Sequence, residues 1–250
     1  MGLRGVENSM WQSWRKTFNL VVSITVLTVI LSGCMYPDER KAENQVPSTF
    51  FLDATQKAIE QFQKDTQVLP IVTKPLDTPI FEKYEIEFRK MIPKYMPDVP
   101  GNAFEKGGVY KYVLIDVETK PTAKLIHLGA VSTVADVQSA VDRYRNYFNK
   151  LPIQADLGNG YYSIDHAEIG AKVWQVQSTM GNYLLPLVMN AQGQVGIDYG
   201  ADIATMLRET KVTVPPNTDP RYVLARESMF VPAKSFPYEL VDGEPKLLKL

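Results

Sequence analysis

The run Gln56–Phe62 (QKAIEQF) is followed by Leu69–Ile71 (LPI), and a closely similar arrangement recurs 82 residues later. There Gln138–Tyr144 (QSAVDRY) precedes Leu151–Ile153 (LPI) after the same interval. Both runs are amphipathic at helical spacing, and the following proline ends a helix. The sequence therefore predicts an internal repeat in which each copy opens with a helix. Chance similarity between two amphipathic helices is the alternative.

The apolar residues of each predicted helix fall on one face. In the first helix these are Leu52, Ile59 and Phe62, and in the second Val134, Val137, Val141, Tyr144 and Phe148. Thr133 and Asp136 have the spacing of a capping box, so we expect the second helix to begin near Thr133.

Alternating apolar and polar residues predict strands after each helix. The predicted pairs are Val109–Asp116 with Lys124–Leu128, Tyr183–Met189 with Gln194–Tyr199, and Tyr238–Val241 with Pro245–Leu248; a further strand covers Lys172–Gln177, and a short helix covers Asp202–Glu209. These elements predict an α+β protein made of two tandem helix-plus-antiparallel-sheet repeats, packed as one bilobed body.

The N-terminal segment has the pattern of an exported protein. Phe18–Leu31 is an uncharged, nearly apolar run of 14 residues, which is short for a membrane span and typical of a signal peptide. It ends in the lipobox Leu31, Ser32, Gly33 and Cys34. We therefore expect residues 1–33 to be a lipoprotein signal peptide and Cys34 to carry acyl chains such as palmitate. A membrane anchor with a bystander cysteine is the alternative, and translation starts at Met1 or at Met10.

The remaining chain divides by composition. Residues 34–49 are polar and rich in charge, which predicts a lipidated N-terminus and a flexible tether. Residues 50–130 and 131–212 form the two predicted repeats. Residues 213–250 form a Pro-rich C-terminal segment with a possible hairpin.

Composition excludes several classes of function. A single cysteine excludes an internal disulfide and any multi-cysteine metal site, and a net charge of −1 gives no support for nucleic-acid binding. The sequence contains no recognisable catalytic triad, phosphate-binding glycine loop or metal-binding motif. We therefore assign no catalytic residues, no cofactor and no metal.

The two histidines and a few carboxylates are weaker candidates for chemistry. His127 is interpreted as a strand residue, and His166 could ligate a metal with Asp165 or Glu168, although zinc takes three or four protein ligands. Carboxylate pairs for glycoside hydrolysis meet only in the fold. The candidates in name are Asp116, Glu118, Asp165, Glu168 and Asp198.

Aromatic and glycine-rich stretches are candidates for binding. The pairs Tyr110/Tyr112 and Tyr161/Tyr162 could stack against a glycan or peptide, although such residues more often pack against a sheet. The loop Asn102–Gly108 could contact a partner through Asn102, Phe104, Gly107 and Gly108, because its glycines permit close approach. The alternative is a loop that only feeds the strand at Val109.

The chain resembles the uncharacterised YphF-type lipoproteins of Bacillus-like Gram-positive bacteria. The resemblance rests on the lipobox with Tyr36-Pro37, Glu43–Pro47, Leu69–Ile71, Asp77–Ile80 with Lys83-Tyr84, Pro100–Glu105, Gly107–Tyr110 and Tyr112–Asp116. It implies a lipid-anchored protein at the extracytoplasmic face of the cell membrane. The family has no established activity, so no catalytic residue carries over.

The sequence thus predicts a non-catalytic accessory or binding lipoprotein. Acyl chains on Cys34 would hold it at the membrane, where its loops would contact a protein partner in the membrane or cell wall. A small-molecule-binding lipoprotein is the first alternative, and a deep apolar pocket between the repeats would favour it. A carboxylate-dependent cell-wall hydrolase is the second.

Overall fold

A computed structural model describes residues 48–170 and 174–249. The chain from Val46 to Leu250 forms one compact unit. The predicted signal peptide, the lipobox with Cys34 and nearly all of the predicted tether lie outside the described residues. Within the described residues, no helix combines the length and the apolarity that crossing a membrane requires.

Helices and antiparallel strands are mixed along the chain. The helices are α1 (Ser48–Thr66), α2 (Ile80–Lys83), α3 (Leu128–Phe148), α4 (Gly200–Thr210) and α5 (Arg221–Glu227), with single 3-10 turns at Phe88–Lys90 and Phe104–Lys106. The strands are β1 (Tyr110–Ile115), β2 (Thr122–His127), β3 (Ile153–Gly158), β4 (Tyr161–Ile164), β5 (Gln175–Gln177), β6 (Leu184–Asn190), β7 (Val195–Ile197), β8 (Tyr238–Val241) and β9 (Glu244–Leu247).

These strands form three antiparallel sheets, which confirms the predicted α+β class. Strands β1 and β2 pair as a hairpin, and so do β8 and β9. In the largest sheet β6 is central: β4 and β7 flank its C-terminal half and β5 pairs with its N-terminal half. Strand β3 pairs with β4 and lies at the edge.

Each long helix buries the face that its apolar spacing predicts. Ile59 and Phe62 of α1 are buried in a cluster with strands β1 and β2. Val137 and Val141 of α3 are buried with strands β6 and β7. Phe148, expected to continue the stripe of α3, is instead exposed.

Gln56 of α1 clamps the turn of the first hairpin. Its Nε2 donates to the backbone oxygen of Pro121 at 3.0 Å, and its Oε1 accepts from the backbone N–H of Ala123 at 2.8 Å. The same Nε2 lies 2.9 Å from the Glu60 carboxylate, one helical turn further on. The side chain thereby satisfies backbone groups at the point where β2 begins.

Gln138, the residue aligned with Gln56 in the repeat, makes the same set of contacts in the larger sheet. Its Nε2 donates to Gly193 O at 2.9 Å and its Oε1 accepts from Val195 N–H at 2.7 Å. Asp142, aligned with Glu60, accepts from Nε2 at 3.2 Å. This equivalence supports the repeat, but one copy leads into two strands and the other into five, so the tandem repeat stays unconfirmed as a whole.

The start of α3 corrects the prediction from the sequence. The helix begins at Leu128, directly after β2, because Nδ1 of His127 accepts from the N–H of Ala130 at 3.3 Å. Thr133 is already inside the helix, where its hydroxyl donates to the Gly129 carbonyl. The expected capping box therefore does not form, and His127 is both the last strand residue and the helix cap.

The C-terminal segment returns to the first hairpin. The predicted pairing of β8 with β9 is present, and the sequence analysis missed α5. After α5, Met229 O accepts from Leu125 N–H and Val231 N–H donates to Leu125 O. Residues 229–231 therefore pair with β2, and Lys234 O further along accepts from the N–H of Ile197 in β7.

Candidate functional site

The predicted contact loop is closed on itself by backbone and side-chain bonds. Asn102 is only 6% exposed, and its Oδ1 accepts from the hydroxyl of Tyr112 at 2.6 Å. Burial raises the pKa of that Tyr112 phenol. The N–H of Gly108 donates to Ala103 O, and a Cβ on Gly108 would overlap the backbone of Asn102. Asn102 and Gly108 are thus built into the body of the protein.

Phe104 is the large apolar residue that this loop exposes to solvent. It lies on the 3-10 turn between Ala103 and Gly107 and is 57% exposed. Gly107 ends the turn with φ +81°, a left-handed conformation that glycine adopts without strain. The neighbouring Val109 is also exposed, and Lys111 Nζ lies 5.9 Å from the Phe104 ring centre. An aromatic ring is therefore held outward on a rigid loop.

A cavity of about 310 Å³ lies on another part of the surface. Its walls come from the first turns of α3, from β5 and the residues after it, and from residues 230–233. The apolar part of the lining includes Ile126, Val131, Val176, Phe230 and Val231. We call it the central cavity. It joins residues that the sequence analysis assigned to both repeats and to the C-terminal segment.

A buried carboxylate fixes one wall of the central cavity. Ser178, which lines it, donates to Oδ1 of Asp202 at 2.7 Å, and the hydroxyl of Tyr183 donates to the same oxygen at 2.6 Å. Asp202 is fully buried in the first turn of α4, and burial raises its pKa against the effect of these two donors. The contact ties α4 to the turn between β5 and β6.

A buried lysine fixes another wall. Lys124 of β2 is 7% exposed, and its Nζ donates to the backbone oxygens of Arg226 and Ser228 at 2.7 and 2.5 Å. These carbonyls end α5, just before the segment that lines the cavity. Burial lowers the pKa of Lys124. The ammonium group of Lys124 therefore binds carbonyl oxygens at the C-terminal end of α5 that water would otherwise bind.

The two histidines, His127 and His166, lie in different parts of the fold. His127 lines the central cavity and packs edge-on against Tyr110. His166 lies beyond β4, and burial lowers the pKa of both imidazoles. Within residues 48–170 and 174–249, no group of three or more His, Cys, Asp or Glu side chains could hold a metal ion.

Two candidate carboxylates make hydrogen bonds within the fold. Asp116 receives two hydrogen bonds from Arg226, at 2.8 and 2.9 Å, which lower the pKa of the carboxyl group. Asp198 Oδ1 accepts from Tyr238 OH at 2.6 Å and from Gly200 N–H at 2.9 Å.

The other three candidates lie in turns. Asp165 Oδ1 accepts from the backbone N–H groups of Ala167 and Glu168. The Glu168 carboxylate lies 3.6 Å from Lys150, and Glu118 is exposed. The four candidate tyrosines also divide, because Tyr112 and Tyr161 are fully buried while Tyr110 and Tyr162 are half-buried.

The sequence analysis missed Lys124, Ser178, Tyr183 and Asp202, because their contacts join residues far apart in the chain. No local pattern predicts such pairs.

Comparison with known proteins gives one match. Residues 49–127, which run from α1 to the end of β2, match the YphF family N-terminal domain. No curated protein and no solved structure matches the chain. The match covers the contact loop with Phe104, and the central cavity lies mostly outside it.

Proposed function

The chain is a YphF-type protein, and on that premise we propose that it is a non-catalytic binding lipoprotein at the extracytoplasmic face of the cell membrane. Acyl chains on Cys34 hold it there, and residues 34–47 act as a tether, which is two residues shorter than the sequence predicts because α1 already begins at Ser48. Fourteen residues from Cys34 to Ser48 reach at most about 50 Å when extended. The partner is a protein in the membrane or cell wall within that reach.

The outward Phe104 side chain carries this proposal. An aromatic residue on a loop that is already ordered loses little conformational entropy on binding, and such residues dominate the energetics of many interfaces. The loop also lies beside the start of the folded body, since Asn102 Nδ2 donates to Ser48 Oγ at 3.4 Å. A partner bound at Phe104 would therefore sit close to the point where the tether enters.

We expect Phe104→Ser to abolish partner capture without affecting stability. Intact cells carrying the tagged full chain are crosslinked, the membranes are solubilised, and co-purifying proteins are quantified. The wild type should retain one stoichiometric partner, and the variant should lose about tenfold or more of it. Because Phe104 is exposed, the melting temperature should change little.

Leu76→Ala is the matched control, because Leu76 is also apolar and exposed but lies on another loop. It should capture the partner as the wild type does. Equal capture by the Phe104→Ser variant, or recovery of background membrane proteins alone from the wild type, would contradict the proposal.

The central cavity supports a second candidate function, the binding of a small apolar molecule. Its volume of about 310 Å³ is at the lower end of the range for ligand sites, and its lining is mostly apolar with hydroxyl and imidazole groups at its margin. The sequence analysis named a deep apolar pocket between the repeats as the feature that would favour a small-molecule-binding lipoprotein, and the central cavity is the candidate for it.

We expect small apolar probes such as indole to bind in this cavity. Ligand-observed NMR on the solubilised full chain should give a Kd of about 1 mM or tighter. Ala130→Leu fills part of the cavity and should weaken binding about tenfold. Ala135→Leu, on the exposed side of the same helix, should leave it unchanged. Equal affinities of the two variants would exclude this cavity as the binding site.

A further inference from the structure

Strand β3 is an unusual edge strand. All six residues of Ile153–Gly158 are exposed, and in the described part of the chain β3 pairs with β4 alone. Ile153 and Leu157 are 45% and 50% exposed. A free edge carries backbone donors and acceptors that another extended chain can satisfy. The geometry therefore selects an occupant with the conformation of a strand.

A cleft of about 350 Å³ adjoins the end of β3. Leu157 and Asn159 form one side, and Pro245 and Leu247 of β9 form the other. Asn159 Nδ2 donates to Leu247 O at 2.9 Å, which holds the two sides together. A peptide lying along β3 could place a side chain in this cleft, as strand-addition sites commonly require.

The charges beside this edge favour a basic occupant. Asp156 is the charged residue of β3, and Asp198 lines the cleft. Both hydrogen bonds that the Asp198 carboxylate accepts within the described residues end on Oδ1, which leaves Oδ2 without a partner there. Lys246 lies on the exposed rim of the cleft.

We propose that β3 binds an extended segment of a partner protein as an additional strand, with a lysine or arginine of that segment paired to Asp156 and the next side chain of the segment entering the cleft that Asp198 lines. This inference rests on the proposed binding function and adds a second surface, separate from Phe104. Opposite charges on neighbouring strands stabilise their pairing. A second copy of β3 fits less well, because Ile153–Gly158 contains no basic residue.

The register of β3 limits how long the added strand can be. Its pairing with β4 is shifted between Ile153 and Ala155 and again between Asp156 and Gly158. Such bulges bend a strand and protect an edge from indiscriminate aggregation. The bound segment is therefore short, and its positive charge determines which peptides β3 prefers.

The test uses the detergent-solubilised full chain and a labelled peptide of alternating valine and threonine with one central lysine. Fluorescence anisotropy should show saturable binding. The same peptide with N-methyl groups at alternate residues cannot donate along one edge and should not bind. Replacing its lysine with glutamate should weaken binding about tenfold.

The double variant Asp156→Asn/Asp198→Asn tests the protein side. Asparagine keeps the oxygen that accepts from Gly158 N–H and from Tyr238, so the melting temperature should stay close to the wild-type value. The peptide affinity should fall about tenfold. Asp53→Asn/Asp136→Asn removes two exposed charges elsewhere and should have no effect on the affinity.

Several outcomes would overturn the proposal: no binding of the lysine peptide at millimolar concentration, equal binding of the N-methylated peptide, or self-association of the chain through β3 that excludes the peptide. Phe104→Ser should leave peptide affinity unchanged. Partner capture that Phe104→Ser leaves unchanged, with the lysine peptide still bound, would refute the proposed function alone. Partner capture that depends on Phe104, with no binding of the lysine peptide, would refute this inference alone.

Discussion

Gly108→Ala is expected to lower the free energy of unfolding by more than about 3 kcal/mol. The added Cβ would overlap the backbone carbon and oxygen of Asn102, and backbone atoms cannot rotate out of the way as a side chain can. Asn102 is itself held by Tyr112, and its carbonyl accepts from the N–H of Tyr110. Relief of the overlap must therefore move the loop away from β1.

Chemical denaturation of the full chain, followed by circular dichroism, measures this effect. Gly107→Ala is the control one residue away, because a Cβ there meets nothing within 4 Å and only the left-handed φ of +81° is unfavourable. It should cost about 1–2 kcal/mol. Similar costs for both variants would show that Gly108 does not pack against Asn102 in the folded protein.

Gly108→Ala also tests whether partner binding depends on an ordered loop. If the loop binds because it is ordered beforehand, Gly108→Ala should weaken partner capture even at temperatures where the chain remains folded. Asn102, Gly107 and Gly108 then act by positioning Phe104, and only Phe104 makes the contact. The sequence analysis identified the loop but could not assign these separate roles, because burial of Asn102 depends on its contact with Tyr112.

Local patterns predicted much of the secondary structure. The spacing of Ile59 and Phe62, and of Val137 and Val141, predicted which helix faces are buried, because a helix packed on a sheet must bury a continuous stripe. The turn at Asp242-Gly243 predicted the pairing of β8 with β9. Predicting these features requires only residues that are close together in the sequence.

The elements that the sequence analysis missed have no local sequence pattern that would predict them. Strand β3 is exposed on both faces, so it has no alternation to detect. Helix α5 is short and lies in a Pro-rich segment. Its packing against β2 depends on Lys124 and Leu125, which are about a hundred residues away in the chain. The central cavity and its polar walls depend on the same long-range contacts and could not be predicted.

The two aligned glutamines give the most specific link from sequence to structure. Gln56 and Gln138 were aligned from their sequence context alone, and each bridges a carbonyl and an N–H two residues apart at the turn of a hairpin. These equivalent contacts favour the predicted repeat over chance similarity between amphipathic helices, and the tandem repeat as a whole stays a prediction. The common function of the clamp is to set where β2 and β7 begin.

We expect Gln56→Ala and Gln138→Ala each to lower the free energy of unfolding by about 2 kcal/mol. Each substitution removes both hydrogen bonds to the backbone of the hairpin and leaves the N–H of a buried residue, Ala123 or Val195, without its partner. The two glutamines share no partner, so the double variant should lose about 4 kcal/mol. Denaturant titration of the full chain provides the measurement.

Gln61→Ala, on the exposed face of α1, is the control and should cost a few tenths of a kcal/mol. A large cost at one glutamine with none at the other would mean that only one hairpin depends on its clamp, and a double variant far from additive would mean that the two clamps do not act independently.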